Sequence, residues 1–498
     1  MATGPRSEQV FAFALCILAA ARVFVYSAAF PFFNNVDEQM HFDLVTKYSV
    51  GHVPKQKIEN YSRQAAELIV LYGTPEYFHG PASFPDGKFP PPPWKIPNVR
   101  STERFDRAVS HWQKKGNHES TSFPAYYTVA GLWSAAGRAA GLRDGHFLYW
   151  IRFLNVFLFA ALVYLSYLIG RTLAADNPLQ RLGLPVMAAF FPQDVFYSIN
   201  GDALSPLLFA ISFFMLLQLY FEDRSILYHA LAGSAVAGCF LVKVSNLAAL
   251  VLLGFIAALK VRDLLAEGRL PGHLTKLLVL LLTSLAPIGL WLARNCFLFG
   301  DITGSAHKAE YLGWTVKPLG QVLDHPIFTM DGILTFLRGI TETFWRGEFV
   351  WHLEQIKLPW MDNFYVFSSA VFLGASLLAL LPKRAGTSKK YRTLIALSFA
   401  TVVLSVLLLA VLSVPFDFGD CWFPSRESPY FLAGRLISCS LLPFLILYVD
   451  GLGRILSRQS GTTVPLVVIA AIAIAITVSE WMISRQVFLS PYNWFHLN

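Results

Sequence analysis

Long apolar runs separated by short polar breaks dominate the chain. Runs long enough to cross a bilayer, about 20 residues or slightly fewer, occupy roughly 9–31, 147–170, 183–199, 203–221, 226–242, 245–260, 275–297, 363–382, 393–413, 431–450 and 463–484. In lipid, only a helix satisfies all backbone polar groups within one such segment. The pattern therefore predicts an all-α polytopic protein with about eleven crossings. A further run, 123–142, contains Tyr126, Tyr127 and Trp133 and is flanked by Arg138, Arg143 and Asp144. It is expected to lie in the membrane interface, anchored by its aromatic residues. Counted as a twelfth span, it would invert every later loop.

Basic residues fall in alternate loops. Arg171 and Arg181, then Arg224, then Lys260, Arg262, Arg269 and Lys276 mark successive loops on one side, followed by Lys383, Arg384, Lys389, Lys390 and Arg392, and finally Arg454 and Arg458. The loops between them carry little beyond Lys243 and Arg426. The positive-inside bias then puts the N-terminus in the cytoplasm. Two long segments, 33–146 and 298–362, are expected on the extracytoplasmic side. The first contains the stiff stretch Phe89-Pro90-Pro91-Pro92-Pro93-Trp94-Lys95. The second contains an amphipathic run near 326–346, a candidate for lying on the bilayer. With no internal repeat, the chain reads as one membrane domain (1–498) in a plasma or inner membrane.

Composition agrees. Of 498 residues, 55% are hydrophobic and only 14% charged, against the quarter usual in soluble chains. The net charge of +8 lies in short loops and so is no nucleic-acid signature. Five single cysteines, with no CxxC pair, indicate neither a disulfide framework nor a zinc site. The first run lacks a small-residue cleavage site and is expected to be a retained signal anchor rather than a cleaved signal. Asn60-Tyr61-Ser62 matches a glycosylation sequon, a common chance occurrence.

Against this apolar background the polar residues stand out. Asp37, Glu38 and His41 follow the first run, and His118 and Glu119 precede Tyr126 and Tyr127. Asn200-Gly201-Asp202 forms a turn between two runs, Lys243 interrupts another, Arg294 closes a helix, and Arg435 opens one. All are expected at the extracytoplasmic ends of their helices. Ionisable groups in such positions are costly and often mark a functional cavity. Ordinary roles compete: a turn or cap for Asn200 and Asp202, snorkelling for Arg294 and Arg435, interfacial packing for His41. If 37–43 were helical, Asp37 and His41 would share a face, which is compatible with a metal ligand pair.

The set combines an acid–base candidate with several cations, the equipment for transfer from a lipid-linked phosphate donor. No Walker loop or dinucleotide fingerprint is present. A donor without a nucleotide, used on the outer side, points to a polyprenyl-phosphate carrier.

Several short motifs recur in a fixed order: Asp37-Glu38-x-x-His41-Phe42, Pro124-x-Tyr126-Tyr127, Arg152-x-x-Asn155, Asn200-Gly201-Asp202, Lys243, Trp291-x-x-Arg294-Asn295, Gly300-Asp301-x-x-Gly304 and Gly434-Arg435. In this the chain resembles the GT-C superfamily of polytopic membrane glycosyltransferases, in particular a bacterial multipass family related to the lipid-phosphate-sugar-dependent mannosyl- and aminoarabinosyltransferases. The resemblance implies a GT-C bundle whose early helices frame a cavity at the outer surface. It also implies inverting sugar transfer from a polyprenyl phosphate, with Asp37 as base or acceptor-positioning group. Relatives often carry two prolines before the tyrosine pair and a tyrosine after the late Gly-Arg, where this chain has Pro124-Ala125 and Leu436.

The expected site comprises Asp37 and Glu38 as catalytic carboxylates, with Lys243, Arg294 and Arg435 holding the donor phosphate. His41, His118, Glu119, Tyr126, Tyr127, Asn200 and Asp202 are expected to contact substrate. No cofactor is firmly indicated, although a divalent metal is compatible. Expected partners are the lipid-linked donor, membrane lipids and a glycan, lipid or protein acceptor. The rival readings are a transporter of lipids or lipid-linked glycans and a non-catalytic scaffold. Duplicated halves and mid-membrane broken helices, usual in transporters, are not evident.

Overall fold

The computed structural model describes residues 5–34, 37–381, 388–421 and 423–497, with no side-chain detail for 5 and 457–460. Lys383, Arg384 and the Arg458 side chain, all used in the sequence reading, lie outside it. The described residues are mostly helical. Its helices are α1 (Pro5–Ala29), α2 (Glu38–Ser49), α3 (Arg63–Tyr72), α4 (Glu103–Lys114), α5 (Pro124–Ala139), α6 (Asp144–Arg152) and α7 (Leu154–Leu173). They continue with α8 (Pro178–Ala189), α9 (Ser205–Phe221), α10 (Ile226–Phe240), α11 (Ala248–Ala266), α12 (Leu274–Phe299) and α13 (Ala306–Tyr311). The last six are α14 (Leu319–Val322), α15 (Met330–Arg346), α16 (Pro359–Leu377), α17 (Lys389–Ser413), α18 (Leu441–Ser460) and α19 (Thr463–Leu489).

Nine helical stretches among the described residues are long and apolar enough to span a membrane: Arg6–Ala29, Asp144–Leu173, Gly201–Phe221, Val244–Ala266, Leu270–Phe299, Pro359–Leu380, Lys389–Ser413, Gly434–Leu456 and Thr463–His496. The chain is thus an integral, multi-pass membrane protein. Two expected spans differ from prediction. The run 183–199 is not one helix: α8 carries Pro185 and ends at Ala189, before Pro192 and a 3₁₀ turn at 194–197. The run 226–242 becomes α10, of 15 residues. The segment 178–198 nevertheless returns the chain along α7. Gly170 of α7 meets the Gln180–Arg181 backbone, whereas Asn155 at the other end of α7 donates to the Phe196 and Ser198 carbonyls (3.1 and 2.8 Å). Residues 178–198 therefore run antiparallel to α7.

Missing side chains bring helices into close contact. A Cβ on Gly451 would lie 1.7 Å from the Phe372 carbonyl oxygen, and one on Gly233 would lie 2.4 Å from that of Leu280. These glycines seat α18 on α16 and α10 on α12. α5 is 16 residues long, begins with Pro124 at its first turn, and packs against α2 and α6. The expected amphipathic run at 326–346 is α15, with Phe336, Ile340, Phe344 and Trp345 buried.

Candidate functional site

At one end of the bundle, the starts of α2 and α9, the 116–122 turn, the α10–α11 link, α13, the end of α15 and residues 434–435 converge. The two carboxylates that follow α1 have opposite fates. Glu38 is fully buried. Its Oε1 and Oε2 accept from Arg152 Nε and Nη2 (2.9 and 2.7 Å), and the Ile199 N–H donates to Oε1 (2.9 Å). Arg152 spends its remaining donors on the Ser27, Phe30 and Pro31 carbonyls and stacks 3.9 Å over the Phe32 ring. A two-pronged guanidinium–carboxylate pair of this kind is strong and geometrically exacting. It ties the end of α1 to α2, α6 and residue 199, and leaves Glu38 no access to a substrate.

Asp37 faces the other way. It caps α2 in the left-handed conformation (φ 58°), which Asp tolerates better than most residues. Its carbonyl accepts from the Met40 and His41 N–H groups, but its carboxylate makes no hydrogen bond or ion pair among the described residues. That carboxylate lies within 4.8 Å of ligand atoms of His118 and Glu119.

Residues 116–119 are pinned to α2 by a polar network. Asn117 donates to the Met40 carbonyl and to Asp43 Oδ2 (3.0 and 2.9 Å), and Lys47 pairs with Asp43 (2.8 Å). The backbone pairing of Glu59 with Asn117 fixes the turn from its other side. Glu119 accepts from Ser122 and pairs with Lys308 of α13. Burial pushes its carboxyl up, but Lys308, His41 and His118 outweigh this and hold it well below the usual range. Lys308 is conversely held above the lysine range despite burial, chiefly by Glu119 and then Asp37. Burial pushes His118 down, aided by Lys308, and pushes His41 down to about 4. His41 is therefore neutral near pH 7, with Nδ1 2.7 Å from the Tyr127 hydroxyl. Tyr126 is buried over Gly201.

Asp202 forms a second centre. Only 1% exposed, it pairs with Lys243 Nζ (2.7 Å) and Arg435 Nη1 (2.8 Å). Asn200 caps the 201–203 turn by accepting the Asp202 N–H (2.8 Å), the ordinary role considered for it. Arg435 Nε reaches Glu348 (3.1 Å), and the Glu348 N–H reaches Asp194 Oδ2 (3.1 Å). Lys243, with 31% of its side chain exposed, spends one donor on Asp202, and Arg435 Nη2 makes no bond among the described residues. Burial lowers Lys243, against the pull of Asp202. Asp37 acts electrostatically on both Arg435 and Lys308, so the two centres share one field.

Of the expected residues, Arg294 stands apart. Its partners are the Pro54 carbonyl, Asn295 (3.2 Å) and the Trp291 ring (4.5 Å), not members of the two centres. The expected metal pair also changes. His41 is committed to Tyr127, and the residues close enough to share an ion are Asp37, His118 and Glu119. Lys308 already neutralises Glu119, leaving Asp37 and His118, whose Nε2 lies 3.8 Å from Glu119, as the ligands without a hydrogen bond among the described residues. Sequence reasoning missed Lys308 and Glu348, charges in an expected outer loop where charge is unremarkable, and Asp194, a lone carboxylate inside the apolar run 183–199. Arg152 was visible as part of Arg152-x-x-Asn155, without a role.

A profile of "predicted membrane protein (DUF2142)" matches residues 21–416. The chain belongs to the DUF2142 family. The matched region takes in every site residue above except Arg435. No curated protein matches the chain.

Proposed function

We propose that this DUF2142 protein is a GT-C-type glycosyltransferase that moves a sugar from a polyprenyl phosphate to an acceptor hydroxyl, with inversion. In this reading all eleven passes cross the membrane, and the convergent end of the bundle faces the extracytoplasmic side. The observation that carries the proposal is the free carboxylate of Asp37, held in one field with two partly uncommitted cations, Lys243 and Arg435.

In the proposed step the acceptor oxygen bonds to the anomeric carbon while Asp37 takes its proton. The bond from that carbon to the phosphate oxygen breaks, and the lipid phosphate departs with the electron pair. The spare donors of Lys243 and Arg435 meet the charge that grows on it. Glu38 and Arg152 act at one remove, by fixing the start of α2. A divalent cation at Asp37 and His118 would add positive charge beside the same phosphate.

Purified protein in vesicles, supplied with a labelled polyprenyl-phosphate sugar and an acceptor mixture, tests the reading. Release of free lipid phosphate with label in the acceptor supports it. Movement of intact donor across the vesicle without cleavage would favour a transporter, and neither result would count against both.

A further inference from the structure

A second cationic region lies behind α13. Lys55, Lys57 and His307, with Leu298, Tyr311 and Glu310, line an open cleft of about 650 Å³. Arg294 builds it: by donating to the Pro54 carbonyl, it fastens the segment bearing both lysines to the end of α12. Neither lysine ammonium pairs with a carboxylate among the described residues, because the nearby Glu59 is taken by His52 and Lys47 (2.9 and 3.6 Å). Glu310, the one carboxylate in the wall, faces His307 (3.6 Å).

The cleft opens at the end of an apolar helix face, where Leu298 of α12 lines it. Along α12, Leu278, Leu282, Leu285, Leu290 and Phe297 are 50–89% exposed, the kind of face a spanning helix turns to hydrocarbon. Cations and a tyrosine at the polar end of such a face sit where lipid phosphates lie. α13 separates the cleft from the two acidic centres: Lys308 turns to Glu119, and Tyr311 packs 5.8 Å from the His118 ring.

We propose that this cleft holds the phosphate of an anionic lipid between Lys55 and Lys57, with the lipid chain lying along α12. The inference does not depend on sugar transfer. The test is binding of a short-chain phosphatidic acid to the purified full-length protein by titration calorimetry, with short-chain phosphatidylcholine and inorganic phosphate as comparison ligands. Wild type should prefer phosphatidic acid to both. Lys55→Glu/Lys57→Glu should weaken it by about tenfold or more, and Lys55→Arg/Lys57→Arg should stay near wild type. Both lysines are exposed, so an unchanged melting temperature is expected and confirms folding. Unchanged binding in the reversal variant, or equal wild-type affinity for inorganic phosphate, would overturn the proposal.

Discussion

At the residue scale, adjacent carboxylates play unequal parts. Glu38 is locked, and removing one member of a buried pair leaves an uncompensated charge, which typically costs about 3–5 kcal/mol. Arg152→Ala should therefore lower thermal stability strongly, and Arg152→Lys should recover little, since an ammonium cannot make the two-pronged contact. Thermal unfolding in detergent checks both. His41 gives a pH signature. With its folded pKa near 4 against about 6.5 when unfolded, the unfolded state binds more protons in between. Stability should fall as pH drops from about 6.5 toward 4, by up to about 3 kcal/mol from this residue. His41→Gln should flatten that part of the pH–stability curve; an identical curve would contradict the assignment.

At the scale of elements, two contacts between helices depend on glycine. Gly451→Ala forces α18 away from the Phe372 carbonyl and should cost about 1–3 kcal/mol, whereas Gly254→Ala, with no atom nearby, should be neutral or slightly stabilising. Melting temperatures of the two variants compare them directly. The helices were legible in sequence because uniform apolarity over twenty residues has one solution in lipid. The 183–199 pass was not, because Pro185 and Pro192 break a helix without interrupting the apolar run. Asp202, Lys243 and Arg435 were legible by contrast with apolar neighbours, and Asp37, His118 and Glu119 by their place beside the apolar runs. Lys308 and Glu348 had no such contrast, Asp194 had it within the run 183–199 without an evident partner, and the placement of all three depends on how α13, the end of α15 and the 194–197 turn fold back. Arg294 had the contrast but serves a different wall.

At the scale of the molecule, the proposed eleven-pass topology would place Gln56 and Arg269 on opposite sides of the membrane. In a cysteine-free background, Gln56→Cys should react with a membrane-impermeant maleimide from outside intact cells, and Arg269→Cys only after permeabilisation. The reverse pattern would turn the site toward the cytoplasm. In the proposed reaction, turnover depends on Asp37, whose carboxylate makes no hydrogen bond or ion pair among the described residues. The measurement that tests this most directly is turnover of labelled polyprenyl-phosphate sugar by Asp37→Asn beside wild type, with donor binding measured in parallel. Loss of most turnover with donor binding retained is the predicted result; full turnover in the variant would contradict Asp37 as the base.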